Sequence, residues 1–199
     1  MYDVLPSFVL GFHGCDAAVA ERVFAGRTTL RPSENDYDWL GHGIYFWEQN
    51  PHRALEYARL LKKHPERSQR ARVRKPAVVG AIIDLGRCLN LLNGQALDLV
   101  RHAFHHLKET AALGDTPLPK NKPAGSSKDL LLRHLDCAVI ETVHEIQEQA
   151  SLPAFRTVRG VFVEGEPLYD GAGFNSQNHI QICVRDSSCI KGYFRVRNM

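Results

Sequence analysis

The sequence lacks long apolar runs, paired cysteine motifs and a basic leader. No apolar stretch approaches the roughly 18 residues needed to cross a bilayer. No basic segment precedes the apolar residues near the N-terminus, as a secretory signal requires. The five cysteines are odd in number and none are spaced as C-x-x-C, which argues against a zinc site and a disulfide framework. We therefore expect a cytoplasmic protein without a bound metal.

The composition is that of an ordinary globular domain. With 199 residues, 44% of them hydrophobic and 24% charged, the chain is long enough to bury one sizeable core. It shows no internal repeat and no clear second domain. We therefore expect residues 1–199 to form a single domain.

The charge is distributed unevenly. The formal net charge is +3, yet residues 62–75 hold seven Lys or Arg and one Glu, a local charge of +6. Such a block attracts phosphate backbones, or it serves as a solvated loop that keeps the protein soluble. The residues that would contact nucleic acid are Lys62, Lys63, Arg67, Arg70, Arg72 and Arg74.

Four segments have helix signals. Asp16 can cap a helix that ends near Phe24, and Asn50-Pro51 begins another that ends near Lys63. Residues 94–109 space Leu97, Val100, Phe104 and Leu107 at helical intervals, and residues 127–150 continue a long helical pattern with Ser127 as its cap. No acidic or cysteine partner completes a metal site with the histidines of the 94–109 segment, so we expect a surface face at His102, His105 and His106.

The strand signals lie at both ends of the chain. Residues 8–14 and the apolar run 77–85 read as core strands, and residues 157–165, 179–186 and 189–196 follow the last helix, with the final two expected to pair. Residues 27–43 and the Pro/Gly/Ser-rich residues 114–127 read as loops.

Three short stretches carry the candidate chemistry. The first strand, FVLGFHG, ends in His13-Gly14, and GHGIYF places Tyr45 shortly before a helix that bears Tyr57. The late strand HIQICVRD sets polar Gln181 between apolar neighbours. Taken singly, each is also typical of a strand end, a packed tyrosine or the solvent face of a strand.

Together these stretches resemble the poly(ADP-ribose) polymerase and diphtheria-toxin branch of the ADP-ribosyltransferases. The family pattern is His-Gly on the first core strand, G-x-G-I-Y-F before a helix with a second tyrosine, and a Glu on a late strand. The likeness covers residues 8–86 and about 158–196. It implies an α+β fold in which split, mostly antiparallel sheets form an NAD cleft, with a helical insertion at about 90–150.

The resemblance also assigns roles around NAD as co-substrate. Tyr45 and Tyr57 would sandwich the nicotinamide ring, Gly14 would bind its carboxamide through backbone groups, and His13 would bond a ribose hydroxyl. Gly41 and Gly43 of the GHGIYF stretch would let the backbone approach the flat ring closely. The loop 27–42 resembles the donor loop that covers the dinucleotide, where the diphosphate would meet Arg27 or Arg31.

Gln181 departs from the family, which has Glu at that position. A glutamine can orient the ribose through a hydrogen bond, but it can neither act as a base nor carry negative charge. The departure is compatible with lost activity, with an acceptor that is already nucleophilic, or with a carboxylate supplied from the acceptor-recognition loop by Glu164, Glu166 or Asp170. It favours transfer of a single ADP-ribose over polymer synthesis.

We expect a mono-ADP-ribosyltransferase that acts on a macromolecule as a toxin or phage-defence factor. A catalytic domain without accessory domains motivates the toxin interpretation, which implies a neutralising antitoxin protein. The basic segment favours nucleic acid, RNA above DNA, over protein as the acceptor. NAD-dependent removal of an RNA 2′-phosphate is disfavoured by the tyrosine pair. A catalytically lost module that binds NAD or ADP-ribosyl groups is the alternative from another class.

Overall fold

The computed structural model describes residues 8–67, 72–124 and 129–197. These residues form seven strands and four α-helices, together with two short 3₁₀ turns at Pro65–Arg67 and Ser187–Cys189. In chain order the elements are β1 (Phe8–Asp16), α1 (Ala17–Phe24), β2 (Ile44–Glu48), α2 (Pro51–Lys63), β3 (Pro76–Asp84), β4 (Cys88–Asn90), α3 (Gly94–Leu113), α4 (His134–Gln149), β5 (Thr157–Phe162), β6 (His179–Val184) and β7 (Ile190–Arg195).

The strands form one hydrogen-bonded sheet in the order β4-β5-β6-β2-β1-β3-β7. Every described pair of neighbours is antiparallel except β4 and β5, which are parallel. The predicted α+β class is therefore confirmed. The prediction that the last two strands pair is wrong, because β2 and β5 already occupy both edges of β6. β7 instead pairs with β3, where Ala81 lies opposite Tyr193.

The sheet buries side chains on both faces, as strand alternation requires. On one face, Phe46 of β2 and Val79 of β3 pack with Ala20 and Val23 of α1. On the other face, Phe12 and Trp47 pack with Ala54 of α2. Helices α3 and α4 cover the second face further along, over a cluster that includes Leu89, Val158 and Cys183.

The first two helices begin and end as the sequence predicts. Asp16 accepts a hydrogen bond from the Ala18 amide at 2.9 Å, and Asn50 accepts one from the Arg53 amide at 3.1 Å. Asp16 also accepts from the amides of Arg74 and Lys75, which ties the end of the basic segment to the start of α1. Gly26 follows α1 with a φ of +66°, a conformation that favours glycine.

The two later helices differ from their predictions. α3 runs four residues further than expected, to Leu113, and Leu97 is 46% exposed, although it was expected on the buried face. α4 begins at His134, because Lys122 forms a β-bridge with Leu132 and the Asn121 side chain accepts from the first amides of the helix. Ser127, its expected cap, lies outside the described residues.

The described part of the chain also bears on the expectations about membrane-spanning helices and metal-binding groups. No helix in it is long and apolar enough to cross a membrane, and no group of three or more His, Cys, Asp or Glu residues in it is placed to hold a metal ion. The three histidines of α3 are exposed, as expected. All five cysteines are free.

Candidate functional site

The candidate site lies where β1 and β2 separate. Their ladder holds only two residue pairs, Gly11 with Glu48 and Phe12 with Trp47. Beyond Phe12, β1 continues beside β3 as far as Asp16, and β2 continues beside β6 as far as Ile44. The two central strands therefore diverge within the sheet and leave a gap between their backbones, which we call the cleft. The resemblance implied split sheets, whereas the described strands belong to one hydrogen-bonded sheet.

The backbone of Gly14 points into this cleft. The Gln49 amide donates to the Leu10 carbonyl at 2.9 Å, and on the other edge the Ala17 amide donates to Lys75 at 2.8 Å. Because successive residues of an antiparallel strand direct their peptide groups to opposite edges, Leu10, Phe12 and Gly14 all face β2. At Gly14 the ladder to β2 has already ended, so its N–H and C=O point toward the opening.

His13 spans the mouth of the cleft. Its Nδ1 lies 2.8 Å from the carbonyl oxygen of Tyr45, and because a carbonyl only accepts, Nδ1 carries the proton in this bond. The Tyr45 carbonyl faces β1, as that of Trp47 does. The His13 ring thus takes the acceptor that a continued ladder would have given to the Gly14 amide. The imidazole holds the two strands together where their backbones no longer do so.

Helix α2 sits directly on Gly14. A Cβ at this position would lie 2.0 Å from the backbone oxygen of Ala54 and 3.3 Å from the Ala58 methyl. The glycine is therefore required for the contact between helix and strand. The sequence expectation for Gly14 concerned only carboxamide binding through its backbone groups, and this packing role was missed.

The Tyr45 hydroxyl is committed to the preceding turn. It donates to the Gly41 carbonyl at 2.7 Å and accepts from the Leu40 amide at 2.8 Å. Burial raises the pKa of this hydroxyl well above its usual range. The hydroxyl is thus a structural tether, and any contact of Tyr45 with a ligand would use the face of its ring.

A half-buried charge pair, Glu141 with Arg185, holds the glycine turn. Glu141 of α4 accepts from the His42 amide at 2.7 Å and from Arg185 at 2.6 and 3.1 Å, while Arg185 also donates to the His42 carbonyl at 3.2 Å. Gly41, with a φ of +74°, has no room for a side chain beside Glu141. This arrangement explains the G-H-G sequence: the polar backbone of His42 is held from both ends.

The second tyrosine belongs to a different ring cluster. Tyr57 of α2 is 40% exposed, and its ring centroid lies 5.0 Å from that of Trp47 at an interplanar angle of 46°. Tyr45 packs instead with the residues under α3 and α4. The nicotinamide sandwich between Tyr45 and Tyr57 stays a prediction.

Gln181 lies directly opposite Trp47 on β6, and His179 fixes its amide. The Nδ1 of His179 lies 2.7 Å from the Gln177 carbonyl, so Nδ1 carries the proton and Nε2 is an acceptor. The Gln181 amide nitrogen donates to that Nε2 at 3.0 Å. Its carbonyl oxygen is therefore turned away from His179. Burial lowers the pKa of His179, which keeps the ring neutral.

The three candidate carboxylates of the acceptor-recognition loop, Glu164, Glu166 and Asp170, differ in their exposure to solvent. Glu166 and Asp170 are exposed, as expected of loop residues, but Glu164 is only 5% exposed. Its Oε2 lies 3.3 Å from Arg53 and 3.7 Å from Nδ1 of His179. The expectation of an exposed carboxylate is wrong for Glu164, because the start of α2 and the β6 strand enclose it. Spacing alone gave no signal of this.

The remaining predicted residues lie at the surface or outside the described range. Arg27 and Arg31 are exposed in the loop between α1 and β2. Of the basic segment, Lys62, Lys63, Arg72 and Arg74 are exposed, whereas the Arg67 side chain and all of Arg70 lie outside the described residues.

Two open depressions mark the described surface. One of about 560 Å³ lies between α1 and α2 and is lined in part by Arg59, Lys62 and Arg195. The other, of about 350 Å³, reaches Asn178 and His179 at the ends of β2 and β6. Neither lining includes the divergence of β1 and β2.

Comparison of the chain with protein-family models, curated proteins and solved structures found no match. The features that bear on activity are therefore the cleft, the N–H and C=O of Gly14, and the His179 and Gln181 side chains of β6.

Proposed function

We propose that the chain is an NAD-dependent mono-ADP-ribosyltransferase, a pentosyl-transferring enzyme with the ADP-ribosyltransferase fold. The observation that supports it best is the opening between β1 and β2. There the peptide groups of Gly14 point into a cleft, and His13 bridges the two strands through the Tyr45 carbonyl. An N–H and a C=O side by side on one residue match the C=O and NH₂ of a carboxamide.

The residues of the cleft would divide the work between holding and electrostatics. Gly14 would bind the carboxamide, the ring face of Tyr45 would support the pyridine, and His13 would reach a ribose hydroxyl. The Gln181 carbonyl would accept a ribose hydroxyl, since the amide nitrogen is engaged with His179. Breaking the bond between nicotinamide and ribose builds positive charge on the sugar, and fixed dipoles nearby favour that transition state.

Nucleic acid is the proposed acceptor, RNA above DNA. The exposed side chains of Lys62, Lys63, Arg72 and Arg74 support this, and Lys62 lines the larger depression together with Arg59. Phosphate groups are the natural partners of such a surface. Action as a toxin or phage-defence factor, restrained by an antitoxin protein, belongs to the same proposal.

Incubation with adenylate-labelled NAD in the presence of separate RNA, DNA and protein pools tests this function. We expect release of nicotinamide and label in RNase-sensitive material. His13→Ala should lower nicotinamide release by about tenfold or more, whereas His105→Ala on the surface of α3 should not. Label confined to protein would contradict the nucleic-acid preference. Absence of nicotinamide release under all conditions would contradict the proposal that the chain is an NAD-dependent enzyme.

The alternative of a binding module has one observation in its favour. Gln181 supplies no negative charge where the family has a carboxylate, so binding without turnover is chemically coherent. Calorimetry with NAD separates the two: a module binds NAD and leaves it intact, whereas the proposed enzyme consumes it.

A further inference from the structure

Four buried polar atoms without a hydrogen-bond partner lie in one neighbourhood. Among the described residues, five buried side-chain nitrogen or oxygen atoms have no partner, and four of them belong to Trp47, Arg53, Glu164 and Asn178. The atoms are Trp47 Nε1, Arg53 Nε, Glu164 Oε1 and Asn178 Oδ1. Since buried polar atoms are nearly always bonded, four such atoms in one place point to a missing partner.

The residues that carry these atoms are neighbours of His179 or of its contacts. The Trp47 ring centroid lies 6.3 Å from that of His179, and Glu164 Oε2 lies 3.7 Å from its Nδ1. Arg53 contacts the same Glu164 oxygen at 3.3 Å, and Asn178 directly precedes His179 in the chain. The side chains of His179 and Glu164 are 0% and 6% exposed. A depression of about 350 Å³ lies alongside and is lined in part by Asn178 and His179.

The four atoms form a complementary set. Trp47 Nε1 and Arg53 Nε are donors, whereas Glu164 Oε1 and Asn178 Oδ1 are acceptors. A group that both donates and accepts, such as a hydroxyl or an N–H beside a carbonyl, would satisfy them. The set also lies next to Gln181, because the Gln181 amide donates to His179 at 3.0 Å. The acceptor group and the ribose of NAD would thus bind on either side of His179.

We propose that this neighbourhood, here called the Glu164 pocket, binds the nucleophilic O–H or N–H group of the acceptor, and that Glu164 takes its proton. The proposal rests on the proposed function and supplies the carboxylate that position 181 lacks. Trp47, Arg53 and Asn178 orient the acceptor group, and His179 holds Gln181 on the ribose side.

The transfer step balances without a further reagent. The bond between the ribose carbon and the nicotinamide nitrogen breaks, and its electron pair neutralises the pyridinium. The acceptor oxygen or nitrogen forms a bond to that carbon, and its proton moves to the Glu164 carboxylate. Nicotinamide, the ADP-ribosylated acceptor and a protonated Glu164 are the products, and the carboxyl then returns its proton to solvent.

The charged surroundings of Glu164 are suited to this role. Burial raises its pKa above the ordinary range, and the charge of Asp129 adds to this, while Arg53 and Arg133 oppose it. His179 faces the carboxylate as a neutral ring. A base with a raised pKa accepts a proton more readily at neutral pH.

Glu164→Gln tests the proposal, with Glu109→Gln on the exposed surface of α3 as its matched control. The amide keeps the size of the side chain and a hydrogen-bond acceptor for Arg53. We expect transfer of labelled ADP-ribose to total RNA to fall by about 10²–10⁴-fold in Glu164→Gln and to stay within about twofold in Glu109→Gln. Thermal unfolding identifies any variant that fails to fold.

The pH profile of the wild type keeps the test valid even if Glu164→Gln misfolds. The wild-type transfer rate should fall as pH drops through the raised pKa of Glu164, and a folded Glu164→Gln should lose this dependence. Equal transfer by wild type and Glu164→Gln, or an unchanged pH profile, would overturn the proposal and leave the four atoms to ordered water. Failure of the wild type to release nicotinamide would instead refute the proposed function.

Discussion

At the scale of single residues, Gly14 joins the packing of the fold to the candidate site. Its missing side chain lets α2 lie on β1, and its peptide groups face the opening between β1 and β2. A larger residue would affect both features at once, because the backbone oxygen of Ala54 cannot move without moving the helix.

Gly14→Ala should therefore destabilise the protein by about 1–3 kcal/mol. The added methyl would lie 2.0 Å from the Ala54 oxygen, closer than any relaxed contact. Urea unfolding measures the change, and Gly94→Ala is the control, since a Cβ there meets no atom within 4 Å. Equal unfolding midpoints for the two variants would contradict the packing of α2 on Gly14.

The sequence allowed some residue roles to be predicted and hid others. Alternation along β6 places residues 179 and 181 on one face, so the pairing of His179 with Gln181 had a readable signal. The burial of Glu164 had none, because it depends on Arg53 and His179, which are 111 and 15 positions away in the chain. Local patterns carry no information about such enclosure.

At the scale of elements, α4 is tied to the glycine turn by one charge pair. Glu141 accepts from Arg185 of the chain after β6 and from the His42 amide of the turn. The predicted helical insertion is thus connected to the wall of the cleft through these contacts. Its role lies in holding the turn that positions Tyr45.

Glu141→Gln should lower the free energy of unfolding by about 1–3 kcal/mol at neutral pH. Burial works against ionisation of Glu141, but the hydrogen bonds from Arg185 and His42 prevail and lower its pKa below the ordinary 4.5. The stabilisation is therefore present above about pH 4.5 and is lost as pH falls through the lowered pKa.

Urea unfolding between neutral and acid pH checks this sign. The difference in unfolding free energy between wild type and Glu141→Gln should be constant near neutrality and shrink in acid. A difference that grows in acid, or does not change at all, would show that the charge of Glu141 does not hold the turn.

Element boundaries followed from the sequence wherever a side chain caps its own helix. Asp16 and Asn50 act locally, and α1 and α2 match their predictions. α4 does not, because its cap comes from Asn121, some 14 residues before the capped amide. Local patterns also do not determine which strands pair. β7 pairs with β3 because both edges of β6 are already paired, with β2 and β5.

At the scale of the whole molecule, the end of the basic segment lies against the start of α1. The segment after α2 returns to the start of α1, where Asp16 binds the amides of Arg74 and Lys75. Arg59, Lys62 and Arg195 line the depression between α1 and α2, and Lys63, Arg72 and Arg74 of the segment are also exposed. A polyanion would find its strongest attraction there.

Replacing the basic residues of this region by glutamine should weaken RNA binding most at low salt, since each lost phosphate contact reduces the salt dependence. Filter binding with single-stranded RNA over a salt series measures the slope. The test variant changes Lys62, Lys63, Arg72 and Arg74, and the control variant changes Arg101, Lys108, Lys120 and Lys122. If RNA affinity has the same salt dependence in both variants, the basic segment does not contact RNA and serves only as a solubilising loop.

A crystal structure of the protein with a non-hydrolysable NAD analogue is the measurement that bears most directly on the central claim. The account predicts the nicotinamide carboxamide at hydrogen-bond distance from both the N–H and the C=O of Gly14, with a ribose hydroxyl at His13. An analogue bound elsewhere, with the opening between β1 and β2 empty, would contradict it.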